Sequence, residues 1–229
     1  MHIYPSVLEP NIKSLISYFP QIYPHFDHFQ IDIADGKYVP DKTATLKEII
    51  TAVKEKRISL KNKTAEFHLM EENPAEDIAL LNENAEMLNL TSIIFHLQPY
   101  QNNPSLSPLT SQLKFGLSLN PNESIKTHWK TIKSFPIIQL MTIVPGKQGT
   151  PFIPEVLDKI TELRELGYKG KIILDGAMND TTLPIVLSKK YLPDAICPGS
   201  YFKENTKERL EYLQTLLPSI SPNTTSVLP

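Results

Sequence analysis

Eight short apolar runs recur along the chain, and each suits a strand that is buried on both faces. They are IYPSV (3–7), HFQIDIA (28–34), TAEFHLM (64–70), SIIFHL (92–97), KFGLSL (114–119), IIQLMTI (137–143), KIILDG (171–176) and AICPGS (195–200). Segments of helical period separate them. Pro10 to Phe19 places Ile12, Leu15, Ile16 and Phe19 on one stripe, and Pro154 to Leu166 does the same with Leu157, Ile160 and Leu163. Pro10 and Pro154 fall where a first helical turn tolerates proline, and Gly167 follows the last periodic residue of its helix. The fourth connection, NNPSLSPLTSQ (102–112), holds too many breakers for a full helix and predicts a short turn or a single helical turn. Strand and helix alternating eight times in one chain predict an α/β protein, a (β/α)8 TIM barrel, as a single domain over residues 1–217. The stretch from Pro218 to the end, PSISPNTTSVLP, is expected to be unstructured.

Composition narrows the partners. Lys and Arg number 23 against 25 Asp and Glu, a net charge of −2, which is no footprint for nucleic acid or a basic membrane surface. Cys197 is the only cysteine, so a disulfide framework and a cysteine-rich zinc site are excluded and a reducing cytoplasm fits. The opening MHIYPSVLEP lacks the basic and apolar regions of a signal peptide, and no run reaches the length of a membrane span. A soluble cytoplasmic protein acting on a small molecule is the expectation.

In a barrel of this type the chemistry sits at the C-terminal ends of the strands. There the sequence places Ser6, Gln30 with Asp32, His68 with Met70, His96 with Gln98, Met141, Asp175, and Gly199 with Ser200. Residues two apart share a strand face, so Gln30 and Asp32 point the same way. Asp32 and Asp175 approach the mouth from different strands, with no Lys or Arg evident at neighbouring inward positions. Two carboxylates flanking a carbon acid can remove a proton from one face and return one to the other. Glycine lets a backbone approach an anion closely, which makes Gly146, Gly176, Gly199 and Ser200 candidates for phosphate. Taken singly, His68, Met70 and Met141 read as ordinary core residues and Cys197 as a small buried hydrophobe. His28 faces the same way as Asp32 but lies roughly 13 Å deeper along its strand, too far to join it. Asp35, on the other face and beside Gly36, reads as a turn residue.

The ordered motifs YPSVL, IDIADGKYVPD, FHLMEENP, FHLQP, GLSLNP, LMTIVPG with PFIPEVLDKI, ILDGAMN and PGSYF resemble the ribulose-phosphate 3-epimerase family over nearly the whole chain. The resemblance implies a barrel that inverts C3 of a ketopentose 5-phosphate through a metal-stabilised enediolate. It casts Asp32 and Asp175 as acid and base, and as ligands, with His68, of one divalent ion, whether zinc, iron, manganese or magnesium. It also places Ser6, Met70 and Met141 against the substrate, and Gly146, Gly176, Ala177, Gly199 and Ser200 around the phosphate, with a homo-oligomer expected. The family's second histidine ligand is here Gln30, whose amide oxygen is a weaker, harder donor than an imidazole. Ala34 stands where the family carries methionine, which leaves an epimerase for a ketohexose phosphate as one alternative. A barrel that binds a sugar phosphate without catalysis is the other.

Overall fold

The computed structural model describes residues 1–103, 106, 113–145 and 149–217. Side chains alternate along each strand, and here both directions are buried, as expected when helices cover the outside of a closed sheet. Along β3 (His28–Ala34), Phe29, Ile31 and Ile33 join the large core between sheet and helices, whereas Gln30 and Asp32 are buried without belonging to it. Phe29, Phe67 and Phe95 on three successive strands are fully enclosed in that layer, each worth about 2 kcal/mol or more in burial.

All strand pairings within the sheet are parallel. β4 (Thr64–Met70), β5 (Leu90–His96), β6 (Lys114–Leu119), β7 (Ile137–Met141), β8 (Lys171–Asp175) and β9 (Ala195–Cys197) follow β3 in chain order. The first predicted strand is split: β1 (His2–Ile3) pairs with β9 and β2 (Ser6–Val7) with β3. Pro5 lacks an N–H and interrupts the ladder, yet its carbonyl accepts from Gln30 N at 3.0 Å while Ser6 N donates to Pro198 O at 3.0 Å. The two short pieces are successive halves of one strand that touches both the second strand and the last. The sheet therefore closes into the eight-stranded barrel that the sequence predicts.

The helices follow the strands. Asn11 caps α1 (Ile12–Ile22) by accepting from Ser14 N, and Thr45 with Glu48 forms a capping box on α2 (Leu46–Lys54). The predicted helical stripe runs from Pro10 to Phe19; the helix instead starts after the Asn11 cap and continues through Pro20 to Ile22, because buried Phe19 and Ile22 anchor a last turn that forgoes only one backbone bond. The predicted helix from Pro154 begins as a 3-10 turn, Pro154–Leu157, and becomes α6 (Asp158–Glu165), with Gly167 at φ 87° just beyond it. After β5 comes α4 (Leu97–Asn102); most of the breaker-rich 102–112 stretch, and the whole of 218–229, fall outside the described residues. α3 (Ala75–Glu83), α5 (Ile125–Ile132), α7 (Leu183–Leu187) and α8 (Thr206–Leu216) complete the outer layer.

The barrel interior is layered. At the N-terminal end, buried Glu66 accepts from Ser92 Oγ at 3.1 Å and lies 3.4 Å from His28 Nε2 and 3.8 Å from Lys171 Nζ. Lys171 shares a strand face with Asp175, but its charge is spent on this lower cluster. Above it Ile94, Ile137, Ile173, Ala195 and Cys197 form a separate small apolar layer. Gly116 belongs there because a Cβ would lie 2.9 Å from Ile94 Cγ1.

Candidate active site and metal centre

Asp175 ends β8 and Asp32 stands two residues before the end of β3, and the closed sheet brings them together over the apolar layer. His68, the register partner of Asp32 on β4, lies between them: its Nδ1 is 3.2 Å from Asp32 Oδ1 and 3.3 Å from Asp175 Oδ2. Ligand atoms of Asp32, His68 and Asp175 all lie within 4.8 Å of one another, and all three residues are buried. Ser6 Oγ donates to Asp32 Oδ2 at 2.5 Å. Gln30 Nε2 donates to Asp32 Oδ1 at 3.2 Å and to Asp175 Oδ2 at 3.0 Å, while Cys197 Sγ contacts Gln30 Oε1 at 3.2 Å.

Besides Ser6 and Gln30, two further groups compensate the carboxylates in place of the basic side chains that the sequence lacks here. One is His68: burial opposes its charging, but its hydrogen bonds to Asp175 and Asp32, and their charges, raise it to about 9. The other is Gln139 on β7, fully buried, whose Nε2 donates to Asp175 Oδ2 at 2.9 Å. Burial nonetheless holds the Asp175 carboxyl above its ordinary value, with His68 pulling it down. His96 supports His68, Nε2 to Nε2 at 3.0 Å, and burial plus the neighbouring imidazolium push its pKa well below the usual value. His96 is therefore the neutral acceptor of the pair.

A cavity of about 580 Å³ opens above the carboxylates. Ser6, Met70, Met141, Asp32, Asp175 and Cys197 border it, whereas Gln30 and His68 lie beneath its floor. Ala34 does not border it: Ala34, Val39 and Met70 pack together, so the room left by a smaller side chain is filled from the following loop. Gly176, Ala177, Gly199 and Ser200 line one wall, and Gly146 lies outside the described residues. Gly176 (φ 111°) and Ala177 (φ 50°) take consecutive positive φ values, and a Cβ on Gly176 would sit 2.5 Å from Ile143 Cγ1. Thr182 Oγ1 donates to Ala177 O at 2.7 Å and pins this loop. The same wall carries Arg209 of α8, whose Nη1 donates to Tyr201 O at 2.6 Å. Asp35 is the turn residue expected of it, accepting from the N–H groups of Lys37, Tyr38 and Glu72.

The model of the ribulose-phosphate 3 epimerase family matches residues 2–201. The chain belongs to that family. Among its relatives, the ribulose-phosphate 3-epimerase of Bacillus subtilis is 30% identical over 167 residues, covering 70% of this chain and 73% of its own. That of Helicobacter pylori is 27% identical over 220 residues, covering 92% and 94%. In fold, the tryptophan synthase A-subunit of Pyrococcus furiosus superposes with a TM-score of 0.65 at 14% identity, covering 94% of this chain and 97% of its own. At 14% identity this likeness concerns the fold alone, and it agrees with the closed barrel of parallel strands. No helix among the described residues is long and apolar enough to cross a membrane.

Sequence reasoning missed Gln139 and Arg209. Gln139 was within reach: it stands two residues below Met141 on one strand face, as Gln30 stands two below Asp32. Arg209 carries no such signal, since only the packing of the last helix brings it to the cavity.

Proposed function

We propose that this member of the family is a ketose-phosphate 3-epimerase that interconverts ribulose 5-phosphate and xylulose 5-phosphate. The observation that carries the reading is the pair Asp32 and Asp175, two buried carboxyls from different strands at the floor of one cavity. One takes the C3 proton from one face of the substrate, and the other delivers a proton to the opposite face; the direction of reaction decides which is which. With no ion bound, Ser6 and Gln30 fix the orientation of Asp32, and Gln30 and Gln139 that of Asp175. Met70, Met141 and Cys197 keep the floor apolar around the reacting carbon. At the far wall, the backbone N–H groups of Ala177, Gly199 and Ser200 and the guanidinium of Arg209 receive the phosphate.

Asp32, His68 and Asp175 suit one divalent cation by chemistry, with two anionic oxygens and an imidazole nitrogen converging. Bound there, the cation supplies Lewis-acid stabilisation of the negative charge that develops on substrate oxygens as the C3 proton leaves. The test is proton exchange. Purified protein loaded with Mn²⁺ or Zn²⁺ and incubated with ribulose 5-phosphate in D₂O is expected to place deuterium at C3 and to form xylulose 5-phosphate, both followed by NMR. Absence of exchange with either ion would overturn the assignment.

A further inference from the structure

We infer that Gln139 is a second amide ligand of the divalent cation, beside Gln30, and that the two amide oxygens tilt the site toward a hard ion such as Mn²⁺ or Mg²⁺ and away from Zn²⁺. This inference rests on the metal-dependent reading above. Its starting point is an imbalance at Gln139. The Nε2 end has Asp175 Oδ2 at 2.9 Å and Met141 Sδ at 3.7 Å, whereas Oε1 is buried with no partner among the described residues. An amide oxygen so enclosed forfeits the hydration it had in the unfolded chain. Turning the amide over would set that oxygen against a carboxylate oxygen, which is repulsive unless a cation lies between them. A cation removes both difficulties at once. Gln30 is poised in the same way, with its Nε2 toward both carboxylates and only a thiol at its Oε1. Ser118, the register partner of Gln139 on β6, is a buried hydroxyl likewise without a partner among the described residues, so the side away from the carboxylates is polar.

The spacing agrees. Among Asp32 Oδ1, Asp175 Oδ2, His68 Nδ1 and the two amide Nε2 atoms, whose places the amide oxygens take when the amides turn, the contacts run 3.2, 3.0, 2.9, 3.2 and 3.3 Å. Neighbouring ligands around an octahedral ion with bonds of ~2.1 Å stand about 3.0 Å apart. Five donors, four of them oxygen once the amides turn, exceed the four that a tetrahedral zinc site takes and match the oxygen-rich sets of Mg²⁺ and Mn²⁺.

The experiment titrates purified protein with Mn²⁺, followed by loss of the free-ion paramagnetic resonance signal, and separately with Zn²⁺ by calorimetry. Gln139→Leu is expected to weaken Mn²⁺ about tenfold or more while moving Zn²⁺ less than about threefold. Gln139→Glu, which keeps an oxygen in place and adds charge, is expected to hold Mn²⁺ at least as tightly as the parent. A purely structural role would leave the Mn²⁺ to Zn²⁺ ratio where it was. Parental Mn²⁺ affinity in a folded Gln139→Leu variant overturns the inference and leaves the metal-dependent reading standing. A parent protein that binds neither ion overturns both. If Gln139→Leu does not fold, Gln139→Glu decides: looser Mn²⁺ binding than the parent's refutes a ligand role.

Discussion

Glu71 offers a test of the fold's electrostatics that is independent of the metal. It follows Met70 at the end of β4, is 9% exposed, and its Oε2 has no partner among the described residues. Burial first, then the charge of Asp77 in the first turn of α3, raises its carboxyl from 4.5 to about 9, and Asp35 and Glu76 add to the rise. The folded chain therefore keeps a proton on Glu71 that the unfolded chain releases above pH 4.5. Stability from this group is complete below that pH and declines as pH rises toward 9. The slope cannot exceed about 1.4 kcal/mol per pH unit, so the ceiling on the loss between pH 5 and 7 is about 2.7 kcal/mol. Asp77 is raised as well and shares the burden through its hydrogen bond to Glu71, which brings the expected loss to about 1–2 kcal/mol. Glu71→Gln keeps the shape and removes the titration. Urea unfolding at pH 5, 6 and 7, followed by the fluorescence of Trp129, the only tryptophan, should show the variant gaining about 1–2 kcal/mol on the parent at pH 7 and little at pH 5. Parallel pH profiles for the two proteins would refute the reasoning, since the titrating groups other than the Glu71–Asp77 pair cancel in the difference.

Three further expectations concern the site. Asp32→Asn and Asp175→Asn should each lower kcat by about 10²–10⁴-fold with the fold intact by circular dichroism, and a variant that keeps parental deuterium exchange would remove that carboxylate from the proton path. Gln30→His should raise Zn²⁺ affinity about tenfold by calorimetry, because an imidazole nitrogen replaces an amide oxygen beside Asp32 and Asp175; unchanged or weaker zinc binding would count against a metal role at this position. Arg209→Ala should raise KM for the phosphorylated ketose about tenfold with a smaller effect on kcat, and an unchanged KM would leave the guanidinium as a structural tie to Tyr201 and Glu204.

The barrel was legible because parallel strands covered on both faces are written as unbroken apolar runs, and β3, β4 and β6 occupy the residues their runs predict. The polar residues at strand ends were legible as candidates for the same reason: Asp32, His68 and Asp175 interrupt such runs. Partnership between strands was not, since it depends on register. IIQLM says nothing of Asp175 until Met141 is seen beside it, which puts Gln139 one inward step below and next to the carboxylate. This changes how Gln30 is understood. Judged alone against the family's histidine, it is the loss of one strong ligand from a site with two acids in want of a counter-charge. Placed in the barrel, it is one of two amides that reach the same Asp175 oxygen, with His68 between the acids. A neutral amide can donate to a carboxylate when no ion is bound and offer its oxygen when one is, which an imidazole fixed as a zinc ligand does not do. On the ligation inferred above, the two glutamines would give up affinity for zinc in exchange for acids that stay paired with or without an ion.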